Sequence, residues 1–135
     1  MDDVLVAKAA VIERCVLRVE DEYAGSAASL RNFTKQDSIV LNLQRACEAS
    51  IDIAARVILL RKLGVPSSSR EAFATLEREG LLPEVLSLSL QRMVGFRNVA
   101  VHAYESLRLE VVEAVVEHEL PTLRAFARWA VELQG

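Results

Sequence analysis

Arg97, Asn98 and His102 lie within one six-residue stretch near the end of an apolar helical pattern. Their types suit chemistry on a phosphodiester. An imidazole can take a proton from a ribose 2′-hydroxyl near neutral pH, a fixed guanidinium can stabilise charge developing on phosphate, and an amide can orient either. That chemistry needs no metal. With Leu86 at 0° and 100° per residue, Leu90 falls at about 40°, Met93 at about 340°, Val101 at about 60° and Arg97 at about 20°, in the middle of the stripe. A guanidinium facing a core costs several kcal/mol unless paired, and such violations of a local pattern concentrate at functional sites. The structural alternatives are an arginine that snorkels to the bundle edge or one that pairs with a buried carboxylate. His102, at about 160° in the same frame, is off that face. The two converge if the helix ends near Val101, or across a two-fold axis. On spacing alone His102 is equally at home as a surface or capping residue.

The elements that must position these groups read as helices throughout. Leu5, Ala9, Ile12, Val16, Val19 and Tyr23 recur at three- and four-residue intervals, which predicts a first helix from Asp3 to about Tyr23, before Gly25. Thr34 followed by Asp37 reads as the cap of a long second helix carrying Ile39, Leu43, Cys47, Val57 and Ile58. Lys62, Gly64 and Pro66 stop it. In that helix Ala46, Ser50 and Ala54 form a row of small residues that would let another helix come close. Ser68 and Glu71 have capping-box spacing and open a short third helix ending at Gly80. Pro83 suits the first position of the fourth, with Leu86, Leu90, Met93, Val94 and Val101 as its stripe. Gly95 inside that helix points to a close approach by another group. A fifth helix follows with Leu109, Val112, Val115 and Val116, and Pro121 is expected to kink it or to separate it from a last helix bearing Leu123, Phe126 and Ala130. The prediction is an all-α, up-and-down bundle of four main helices plus short extras, one domain over residues 1–135.

Composition narrows the function classes. At 135 residues, 52% hydrophobic and 26% charged, the chain is long enough for a core of its own and is not disordered. Sixteen basic against nineteen acidic side chains exclude a nucleic-acid coating protein, so any RNA contact rests on a local cluster. Cys15 and Cys47 sit in apolar patterns without a C-x-x-C partner and read as reduced core thiols. His118 lies between Glu117 and Glu119, sixteen residues from His102, and lacks the spacing of a helical zinc site. The acids Glu105, Glu110, Glu113, Glu117 and Glu119 read as solvated surface. Neither a signal peptide nor a span of ~18 apolar residues is evident, so a cytoplasmic protein without membrane contact is expected.

The stretch Met93-Val94-Gly95-Phe96-Arg97-Asn98-Val99-Ala100-Val101-His102-Ala103-Tyr104 resembles the R-x-x-x-x-H-x-Y signature of HEPN-domain proteins, and most of all the HepT-like toxins. Phe33 to Ser38, leading into Asn42 to Ala54, is similar to that family's second helix. The resemblance covers nearly the whole chain. It implies a helical bundle that dimerises with its signature segments face to face and cleaves RNA, with tRNA a target by analogy, without metal or cofactor. Arg97 would hold phosphate, His102 would move protons and Asn98 would assist. Two copies of His102 across a two-fold axis would supply both a base and an acid. It further implies an MntA-like minimal nucleotidyltransferase antitoxin that uses ATP to place AMP on Tyr104. A non-catalytic HEPN module that binds a nucleotide or a nucleotidyltransferase partner is the alternative reading.

Overall fold

Asp2 lies in extended backbone and its carboxylate accepts the Leu5 N–H at 3.1 Å, so the chain turns helical at Asp3. In a computed structural model describing residues 2–133, the first helix, α1, spans Asp3–Tyr23 and buries Leu5, Ala9, Ile12, Val16 and Val19. These are the residues that the apolar spacing selects. Ala24 and Gly25, at φ 51° and 72°, end it.

The next start differs from expectation. Ala27–Arg31 forms a 3-10 turn capped by Ser26 and anchored by buried Leu30. Because that turn closes at Arg31, Asn32 and not Thr34 caps α2 (Phe33–Arg61), its side-chain oxygen accepting the Lys35 N–H at 3.0 Å. Thr34 and Asp37 thus lie inside the helix, and the Asp37 carboxylate is free for other work. Lys62, at φ 56°, closes α2 by donating its N–H to the Ile58 and Leu59 carbonyls. This 29-residue helix touches every other α-helix. Its row of small residues is buried, and Ser50 satisfies its hydroxyl on the Ala46 carbonyl at 2.8 Å.

Ser68 caps α3 (Ser69–Arg78) by accepting the Glu71 N–H at 3.1 Å. Glu71 does not reach back; its carboxylate pairs with Arg78 at 2.8 Å, so only half of the capping box forms. Pro83 is the N-cap of α4 (Glu84–His102), one residue earlier than the helical position expected for it. The buried face of α4 also turns towards its C-terminus: Phe96 and Ala100 enter the core, while Val101 is 42% exposed. The last helix, α5 (Leu109–Glu132), is continuous through Pro121. Losing one backbone bond there costs about 3 kcal/mol. Leu120, Leu123 and Phe126, all buried around it, return about 1.5–3 kcal/mol each, so packing carries the helix through.

The architecture is therefore an all-α bundle of four long helices, α1, α2, α4 and α5, with the shorter α3 against α2 and α4. No strand occurs among the described residues. Phe126 stacks on Trp129 at 5.1 Å and meets Phe73 edge-on at 5.7 Å, while the Trp129 N–H donates to the Leu81 carbonyl. Cys15 and Cys47 are buried free thiols. Among the described residues, no helix is long and apolar enough to cross a membrane.

Tyr23 ties the end of α1 to α5, its hydroxyl donating to Glu117 at 2.6 Å. Tyr23→Phe is expected to cost about 1 kcal/mol, at the low end because exposed Glu117 can regain water. Burial first, and the Glu117 carboxylate second, push the phenol from 10 up to about 12. A raised acid pKa stabilises the fold below the unfolded value, so this contribution is present below pH 10 and lost as the pH rises towards 12. Denaturant midpoints of both proteins across that window should converge at the alkaline end.

Candidate active site at the end of the fourth helix

The α-helical hydrogen bonding of α4 continues to its end, since the Ala103 N–H donates to the Val99 carbonyl at 2.9 Å. The helix ends at His102, one residue beyond Val101, so Arg97 and His102 both keep helical positions. At 100° per residue Arg97 and His102 point about 140° apart, so one chain does not bring them onto one face. Asn98 and His102 share an exposed face. Gly95 lies on it too, about 20° from His102 and two turns before it.

Arg97 is half-buried and turned towards α3, its Nη2 3.4 Å from the Ser69 hydroxyl. Its Nε is buried without a hydrogen-bond partner, and no carboxylate lies within ion-pair distance among the described residues. The buried-carboxylate alternative is thus absent. Arg97 also reaches electrostatically into the core: burial pushes the Cys47 thiol up to about 12, and the Arg97 charge opposes that shift. A cation held in place with an unsatisfied donor is a costly feature for folding and a ready one for binding an anion.

Three groups near the signature were not singled out from the sequence as site residues. Ser69 is the Arg97 contact just described. Arg70, the next residue, crosses the outer face of α4 so that its Nη2 lies 2.6 Å from where a Gly95 Cβ would stand. The close approach anticipated at Gly95 is therefore this exposed guanidinium, on the face of Asn98 and His102. Asp37 is the third. The Tyr104 hydroxyl donates to its carboxylate at 3.1 Å, joining the 3-10 turn Tyr104–Ser106 to the start of α2. Tyr104 is 43% exposed, and its phenol is raised first by partial burial and then by Asp37.

Beside this face an apolar groove of about 630 Å³ runs between α4 and α5, walled by Phe96, Val99, Leu107 and Val111 with Arg92 and Arg108 among its charged lining. His118, exposed, lines the same groove, and no group of metal-ligating side chains occurs among the described residues. The acidic run is less uniformly solvated than its spacing suggests. Glu117 holds Tyr23, and one Glu119 oxygen is buried without a partner, the other lying 3.8 Å from Arg92.

Gly95→Ala separates two effects. Alanine favours a helix interior over glycine by about 1 kcal/mol, and the clash is only with the far end of a flexible arginine. The substitution is expected to raise the thermal midpoint by a few degrees while displacing the Arg70 guanidinium, which a calorimetric scan would show.

Comparison with known proteins gives consistent matches. A family model described as ribonuclease HepT-like matches residues 12–129. The mRNA nuclease HepT of Shewanella oneidensis is 44% identical over 126 residues, covering 93% of this chain and 95% of that protein. The solved structure of tri-AMPylated Shewanella oneidensis HEPN toxin in complex with MNT antitoxin is 42% identical, with TM-score 0.90, covering 98% of this chain and 99% of the other. A toxin–antitoxin structure with AMP-PNP is 40% identical, with TM-score 0.89 and 98% coverage of both.

Proposed function

The chain belongs to the HepT-like ribonuclease family, and on that premise we propose that it is the toxin of a toxin–antitoxin pair, an endoribonuclease acting in the cytoplasm. The observation that carries the reading is the Arg97 guanidinium, held half-buried with an unsatisfied Nε and no carboxylate, at the helix end that presents Asn98 and His102 to solvent. In this reading His102 takes the proton of a ribose 2′-hydroxyl, whose oxygen attacks the neighbouring phosphorus. Arg97 stabilises the charge on the phosphate oxygens, Asn98 orients the phosphate, and the departing 5′-oxygen takes a proton from a second imidazole. The angle of about 140° between Arg97 and His102 supports a site assembled at a two-fold axis, where each chain lends what the other's helix turns away. The chain uses no cofactor; ATP belongs to its nucleotidyltransferase antitoxin, which places AMP on Tyr104.

The relative named an mRNA nuclease makes messenger RNA the first substrate to test, with tRNA beside it. Purified, unmodified chain is expected to cut RNA in EDTA and to leave 2′,3′-cyclic phosphate ends. Intact RNA after incubation with protein shown by mass to carry no AMP would favour the alternative, a HEPN module that binds without cutting.

A further inference from the structure

The hydroxyl of Tyr104 is not free in solvent. It donates to Asp37 at 3.1 Å, across 67 residues of sequence, although Asp37 itself is exposed and α2 is capped without it. The contact is not needed to build either element: Asn32 caps α2, and the turn of Tyr104–Ser106 closes through the Ser106 N–H on the Ala103 carbonyl at 2.8 Å. A phenol paired to a carboxylate at an accessible helix start is an oxygen nucleophile with a proton acceptor already in hydrogen-bond reach.

We propose that Asp37 is the proton acceptor that orients and activates Tyr104 for nucleotidyl transfer, so that the toxin supplies part of the machinery for its own modification. This rests on the reading of Tyr104 as the modified residue. In the step, Tyr104 Oη attacks the α-phosphorus of ATP held by the nucleotidyltransferase. The new O–P bond forms as the bond between the α-phosphorus and the bridging oxygen breaks, pyrophosphate leaves with that electron pair, and the phenolic proton passes to Asp37. A phenol holds its proton at neutral pH, so its attack needs an acceptor, and the carboxylate that its hydroxyl meets is Asp37. No other titratable side chain is hydrogen-bonded to the Tyr104 hydroxyl among the described residues.

The test uses the full chain in a His102→Ala background, so that it accumulates without AMP, mixed with nucleotidyltransferase, ATP and Mg²⁺ and followed by intact mass. Asp37→Ala and Asp37→Asn are expected to slow the first AMP addition by about 100-fold, the size of a lost general base. Asp37→Glu should restore part of the rate. The pH profile is the readout that a merely structural role would not move. In the Asp37→Asn variant the rate should climb with pH until the phenol itself ionises, a dependence that the parent, with its acceptor in place, does not share. Modification of both the Asp37→Ala and Asp37→Asn variants at the parent rate, with Tyr104→Phe unmodified, overturns the proposal and leaves the modification site standing. Equal AMP addition to Tyr104→Phe, or none to the parent, overturns the site and the proposal together.

Discussion

Arg97→Met is expected to lower RNA cleavage by at least about 100-fold while leaving the thermal midpoint equal to or above that of the parent. The two effects have one cause. In the fold, Arg97 is a half-buried cation whose Nε has no partner and whose Nη2 makes only a 3.4 Å contact to Ser69. Replacing an uncompensated charge by an apolar side chain of similar length removes a desolvation cost, which favours stability. The same replacement removes the donors that stabilise charge on the reacting phosphate, a loss of about 10²–10³ in rate for a single such group. His102→Ala is expected to lose about 10²–10⁴ as proton transfer fails. Mixing His102→Ala protein in excess with the parent then asks where the site is. If the two imidazoles act together across the two-fold, each mixed dimer lacks one of them, and subunit exchange should lower cleavage well below the parent's share of the mixture. Cleavage that stays proportional to the amount of parent would place the whole site in one chain and remove the two-fold assembly.

The all-α bundle was legible because its apolar spacing is regular and its helices are long: α1 begins and ends where the spacing of Leu5 to Tyr23 predicts. The misread points are those where a tertiary contact chose between two locally sound options. Asn32 and Thr34 are both competent caps, and buried Leu30, by pinning the preceding turn, selected Asn32. Pro121 is a strong local breaker, overruled by core residues on both sides of it. Val101 fits the apolar stripe of α4, yet the core turns to Phe96 and Ala100 at that end of the helix. The candidate site shows the same division. Arg97 stands out from spacing as a break in an apolar stripe, whereas Asn98, His102 and Tyr104 stand out through the resemblance of the motif to the HEPN signature. Ser69, Arg70 and Asp37 arrive from other helices, 28 residues from Arg97 in the first case and 67 from Tyr104 in the last. Only Gly95 carried a local trace of one of them, as a glycine standing where a helix prefers alanine.

Tyr104→Phe is expected to leave RNA cleavage within about twofold of the parent and to make the toxin insensitive to its nucleotidyltransferase. The hydroxyl donates only to exposed Asp37, so its removal leaves no buried group unsatisfied and costs little stability. It does remove the oxygen that would carry AMP. In the parent, AMP on that oxygen adds a phosphodiester charge beside the Asp37 carboxylate, and like charges at contact distance drive the modified side chain off Asp37. Tyr104 lies only two residues beyond His102, so in this reading the displaced phosphate takes the place of the substrate phosphate in the RNA site. Raised salt should therefore weaken the inhibition as it screens the contacts of that phosphate. Co-expression gives the large readout: cells carrying the parent toxin with an active nucleotidyltransferase grow, and cells carrying Tyr104→Phe with the same partner arrest. Growth of the Tyr104→Phe cells, with cleavage by the purified variant intact, would mean that neutralisation proceeds by binding and not by modification of this tyrosine.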